Sequence, residues 1–160
     1  MAKAREVPGL DGQDSFRLSA AKVVSVRSAE LFEQSTNVLD TADIERVHDM
    51  RVATRRLRAV LEIFAPCFER TLHRGVLGDI KALADALGER RDPDVHIDAL
   101  RRFEPAVAEA DRPGIESLVA RLRQDQEAGN ATVSRALEEM DRSDLRGRLR
   151  ALCEAAEATG

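Results

Sequence analysis

Apolar residues recur along this chain in steps of three and four, with no run of strict alternation. That spacing predicts α-helices and no strands. Residues 1 to about 15 carry Pro8, Gly9 and Gly12 and no period, so they are expected to form a disordered leader, with the helical domain spanning 16–160. A first helix is expected over Phe16 to Leu39, with Leu18, Val23, Val26, Leu31 and Val38 loosely marking its apolar side. Asp40, Thr41 and Asp43 then offer side-chain oxygens to the orphan amides of a new helix. The second helix, from about Ile44 to Phe64, has the clearest pattern. Val47, Met50, Thr54, Leu57, Leu61 and Phe64 alternate by threes and fours along one seam, and Pro66 ends it.

A third helix is expected from about Leu72 to Leu87, with Gly88 as the residue that terminates it. Asp92-Pro93-Asp94 reads as the start of a fourth, an acidic cap followed by proline in the first turn. That helix carries Val95, Ile97, Leu100 and Phe103, and Pro105 bends or breaks it. A fifth runs from Ile115 to about Met140, with Gly129-Asn130 as its weak point, and Ser143-Asp144 opens a last helix to about Ala156. The fold class is therefore all-α, an antiparallel bundle of about five to six helices with short loops.

Composition supports this and narrows the function. With 160 residues there is room for one core. Ala, Leu, Arg and Glu dominate and the aromatic share is 3%, all Phe. Strong helix formers are abundant and the stacking platforms of single-strand nucleic-acid binders are scarce. No apolar run spans a bilayer and the opening residues do not read as a signal peptide, so a cytoplasmic location is expected. Cys67 and Cys153 lie far apart in apolar helical settings and read as buried thiols.

The net charge of −4 hides a segregated pattern. Between Arg46 and Arg58, RVHDMRVATRRLR holds five Arg and one His against one Asp. On a helical wheel His48, Arg51, Arg55 and Arg58 fall in one narrow arc beside the apolar seam, with Glu62 one turn further on. Like charges at one-turn intervals repel, and an anion relieves that repulsion. The guanidinium fork matches paired phosphate oxygens. On the third helix Arg74, Gly78 and Lys81 share a face, where the glycine either admits a bulky anion or lets two helices pack tightly. His73 and His96 read as structural. A His48-Asp49 metal site lacks further ligands at metal spacing, and no nucleophile–base pair or phosphate-binding glycine loop is present. The chain is read as having no catalytic residues, metal or cofactor.

The residues HDMRVATRRLR from His48 to Arg58 resemble the HxxRVxxRRLR signature of the CHAD family, the conserved histidine α-helical domain. KALADALGERRDPDV, from Lys81 to Val95, resembles the family's second block. The resemblance implies a helical domain that binds inorganic polyphosphate through a basic surface or channel, often beside a triphosphatase domain or on polyphosphate granules. Position by position it carries over His48, Arg51, Arg55, Arg56 and Arg58 from the first block, and Lys81 and Arg91 from the second; Arg74 joins them on spacing. Arg56 points away from the other cations on the wheel and is alternatively a structural partner of Asp92 or Asp94. Full-length members have two bundle-forming halves, each with a basic helix, whereas here the first block occurs once. The chain thus resembles the N-terminal half of a two-bundle domain, and a homodimer is the expected way to restore a two-sided basic surface. The competing reading is a protein-interaction module that docks an acidic or phosphorylated partner; nucleic-acid binding is disfavoured by the acidic net charge.

Overall fold

The structure is a computed structural model that describes residues 3–159. The described residues hold five α-helices, α1 (Phe16–Gln34), α2 (Ile44–Ile63), α3 (Arg70–Phe103), α4 (Arg112–Arg142) and α5 (Leu145–Glu157), with short 3-10 turns in the connections. No strand occurs among them, as the hydrophobic period requires.

Cross-helix contacts fix the helix directions. Phe16 meets Phe64 at a ring separation of 5.1 Å, at opposite ends of α1 and α2. Arg146 caps the Phe32 ring at 4.1 Å while Arg17 reaches Thr159, so α5 runs antiparallel to α1. Arg91 donates to the Ile44 carbonyl at 3.2 Å and Lys81 approaches Glu62, which sets α3 antiparallel to α2. Gln126 donates to Asp94 and Arg101 pairs with Glu116, which does the same for α4. The α1–α2, α2–α3, α3–α4 and α1–α5 pairs are thus antiparallel, and α5 continues in the direction of α4.

The α2 seam is buried as its spacing demands: Val47, Met50, Thr54, Leu57 and Leu61 are fully enclosed and Phe64 is half-buried. They pack against Val76, Ile80, Leu83 and Leu87 of α3 and against Val24, Leu31 and Leu149 within one core. The α1 face differs from the expected one. Ala20, Ala21 and Val24 carry it along with Leu31, because small residues let α2 and α5 approach closely. The helix stops at Gln34 rather than Leu39, since Asn37 takes a left-handed conformation at φ 56°. Residues 3–15 carry no helix. Within them the Arg5 amide donates to Glu30, and Lys22 binds Asp14 and the Gly9 carbonyl. Met1 and Ala2 lie outside the described residues.

The largest departure is at α3. The expected break at Gly88 and restart at Asp92-Pro93-Asp94 do not occur, and one helix of 34 residues runs through both. Proline inside a helix removes one backbone hydrogen bond and costs about 3 kcal/mol, so tertiary contacts must offset it here. Arg90 is fully buried, pairs with Asp94 and donates Nε to the Asn130 side chain at 2.6 Å. Gln126 donates to the same Asp94 oxygen at 2.6 Å. Across from Arg90 stands Gly129, where an added Cβ would lie 2.8 Å from the Arg90 Cα. Gly129-Asn130 is thus no weak point: it lets the α3 and α4 backbones approach closely at Arg90, and Asn130 also donates to the Leu39 carbonyl.

Beyond this contact, the far halves of α3 and α4 form an arm. No residue of α3 after Asp94 is buried, and Val119 is the single buried residue of α4 before Gly129. Phe103 and Leu118 stand 59% and 46% exposed on it. Both cysteines are buried and unpaired; burial, with Glu157 and Glu154 nearby, pushes the Cys153 thiol up to about 12.

Candidate functional site: the groove between α2 and α3

The antiparallel packing of α2 on α3 brings the cations of the two sequence blocks, Arg56 apart, to the seam between these helices. At one end Arg91, largely buried, donates to the Ile44 carbonyl and stands 3.7 Å from Glu45 and 4.0 Å from Asp94. It ties α3 to the start of α2. His48 falls near the same level, followed by Arg51, Arg55 and Arg58 at successive turns. Ten residues at 1.5 Å rise make this row about 15 Å long. Among the described residues, His48, Arg51 and Arg55 have no carboxylate at ion-pair distance.

Arg51 reaches over α3. Its guanidinium lies 2.9 Å from where a Gly88 Cβ would stand. The glycine expected to end a helix instead seats this arginine, and the helix continues beneath it. Sequence reasoning missed this role because a glycine after an apolar run signals a C-terminus as readily as a close approach.

The other end of the row is occupied. Arg58 donates Nε to Glu62 Oε1 at 3.0 Å, and Lys81 Nζ stands 3.5 Å from the same oxygen. The hydrogen bond from Arg58, helped by Lys81, holds the Glu62 carboxyl below the usual carboxylate range. Nothing lies within 4 Å of a Cβ built on Gly78, so its second expected role, tight helix packing, is excluded. By the register that pairs Glu62 with Lys81, Gly78 leaves an opening beside these groups. Arg74, exposed and without an ion pair among the described residues, lies one turn before it.

Two expectations change. Arg56 lies off the row, as the wheel has it, but on the α1 side of α2, where its charge acts on Glu30. Asp94, one of its two expected partners, is engaged by Arg90 and Gln126. The other correction concerns Asp94 itself, which is a buried ion-pair member and not a residue of a helix start. His73 takes the structural role: its Nε2 bonds the Leu61 carbonyl at 2.8 Å and its ring stacks on Phe68. His96 is exposed on the arm.

An arginine-lined groove with open guanidinium groups, shaped by two packed helices, is suited to holding an extended anion. The family model of the CHAD domain matches residues 25–160, most of the chain. The chain belongs to the CHAD family. No curated protein and no solved structure matches it. The CHAD match covers all of α2 to α5 and so includes both blocks that form the groove. In this CHAD domain the histidine and arginines of the first block project from one helix, while the second block supplies Lys81 and Arg91 from its antiparallel neighbour.

Proposed function

We propose that this CHAD domain is a non-catalytic receptor for inorganic polyphosphate, held along the α2–α3 groove by His48, Arg51, Arg55, Arg58 and Lys81. Arg74 extends the row and Arg91 braces its far end. The observation that carries the reading is the open state of Arg51 and Arg55, which face solvent from a packed helix with no carboxylate at ion-pair distance among the described residues. CHAD membership agrees with it in general terms. Each guanidinium offers parallel donors that fit phosphate oxygens. Binding is expected to weaken steeply with salt, as counterions released from a polyanion require. Replacing Arg55 and Arg58 by Ala should abolish polyphosphate binding with helicity unchanged; equal binding by this double variant rejects the site. A fluorescent fusion should follow polyphosphate granules in the cytoplasm and disperse when both arginines are removed.

A homodimer completes the proposal. The arm carries an apolar groove of about 300 Å³ lined by His96, Ala99, Leu100, Leu118 and Leu122. Two arms packed face to face give a four-helix bundle, the common way for helical hairpins to bury such a face. Arg121 and Asp125 share the Leu118–Leu122 stripe and form no ion pair with described residues, and an antiparallel two-fold pairing sets each against its opposite in the second copy. Light scattering at micromolar concentration should give twice the chain mass. Leu118→Glu should halve it. A monomeric parent that keeps full polyphosphate affinity overturns the dimer.

A further inference from the structure

We propose that Glu62 is a built-in competitor for the anion site, one that a phosphate chain must displace from Arg58 and Lys81 before it can span both halves of the row. This rests on the reading of the groove as a polyphosphate receptor and concerns how that same site is filled.

The geometry divides the row in two. Arg51 and Arg55 are open, whereas Arg58 and Lys81 converge from two helices on a single oxygen of Glu62, at 3.0 and 3.5 Å. The carboxylate therefore stands where a ligand oxyanion would bridge α2 and α3. Its position argues against a purely structural tie. Glu62 lies in the last turn of α2, which has no basic residue of its own, and a negative charge at the negative end of the helix dipole is unfavourable. All three side chains are a little under half exposed, and exposed pairs of this kind are weak and readily exchanged.

A ligand arriving at Arg51 and Arg55 meets no resistance, but to continue along the groove it must displace Glu62. A phosphate chain brings closely spaced charges and paired oxygens that suit the Arg58 fork, so it can take the place of the carboxylate there. The space left open at Gly78 admits the bulkier group. A chain short enough to stay at Arg51 and Arg55 leaves Glu62 where it is, so the competitor weakens long chains and spares short ones.

The test is titration of the full chain and its Glu62→Gln variant with polyphosphate of two defined lengths, one long enough to run from Arg51 to Lys81 and one that fits Arg51 and Arg55 alone. The amide keeps the shape and removes the charge. Affinity for the long chain should rise about two- to five-fold, the scale of one exposed ion pair, and affinity for the short chain should rise less, so that their ratio widens. Equal or weaker long-chain binding, or an unchanged ratio, overturns the proposal; a mere tie between helices predicts weaker binding with a lower melting temperature. If the parent does not bind polyphosphate, the groove reading itself fails. If Arg55→Ala/Arg58→Ala abolishes binding while Glu62→Gln changes neither affinity, the groove reading stands and the competitor alone is rejected.

Discussion

Asp94→Ala should be among the most destabilising single changes in this domain. Arg90 and Asp94 are both fully buried, and the aspartate's Oδ1 receives Arg90 Nη1 and Gln126 Nε2. Removing the carboxylate leaves a guanidinium inside the bundle with Asn130 as its one remaining acceptor among the described residues. Breaking a buried pair from one side typically costs about 3–5 kcal/mol, because the surviving charge stays desolvated. Against a total stability of about 5–15 kcal/mol, that is a large share. With a urea slope of about 2 kcal/mol per molar, the unfolding midpoint should fall by about 2 M. Replacing both partners, as Arg90→Met/Asp94→Leu, removes the stranded charge and should recover most of the loss. Urea unfolding followed by circular dichroism gives all the values needed for the double-mutant cycle. An Asp94→Ala cost below about 1 kcal/mol, or single costs that simply add in the double variant, would refute the assignment of this pair as the element that carries α3 through Pro93.

Three glycine and carboxylate variants probe the rest. Gly129→Ala should destabilise by about 1–3 kcal/mol, since its Cβ would meet Arg90 backbone at 2.8 Å and backbone cannot swing aside; thermal melts check the sign. Gly78→Ala should stabilise by up to about 1 kcal/mol through helix propensity, as nothing opposes the new methyl, and a loss of stability would contradict the open space assigned there. At Glu30, burial raises the carboxyl, but hydrogen bonds from Arg27 and the Arg5 amide outweigh it and bring it below the ordinary 4.5. A depressed folded pKa contributes stability that is present above about pH 4.5 and lost as pH falls through the lowered folded value. Parent and Glu30→Gln should therefore differ in unfolding midpoint at pH 6 and converge as the carboxyl protonates. A constant difference down to pH 2 would contradict it.

How much was legible in the sequence depended on which forces each element uses. The α2 seam and its basic flank were readable because one apolar stripe faces one core, so position on the wheel translates directly into burial. The same wheel turned Arg56 away from the row, but the Glu30 carboxyl on which its charge acts lies on α1, and no local pattern names it. In α1 the buried face is built from alanines, whose signal is weak beside the valines that periodicity favours. The course of α3 was misread for a physical reason. Gly88 and Pro93 are local breakers, and what overrides them is tertiary: Arg51 seated over the glycine, and Arg90 held by Asp94 and Asn130 against Gly129. Local propensity yields when buried neighbours supply more.

The proposed polyphosphate binding depends on Arg51 and Arg55 acting as open phosphate receptors in a groove braced by α3. Isothermal titration of the parent and of Arg51→Ala/Arg55→Ala with one defined-length polyphosphate, at low and at physiological salt, addresses this most directly. The parent should bind with an affinity that falls steeply as salt rises, and the variant should bind far more weakly with a shallower salt slope. Matching affinities and slopes for the two proteins would contradict the assignment.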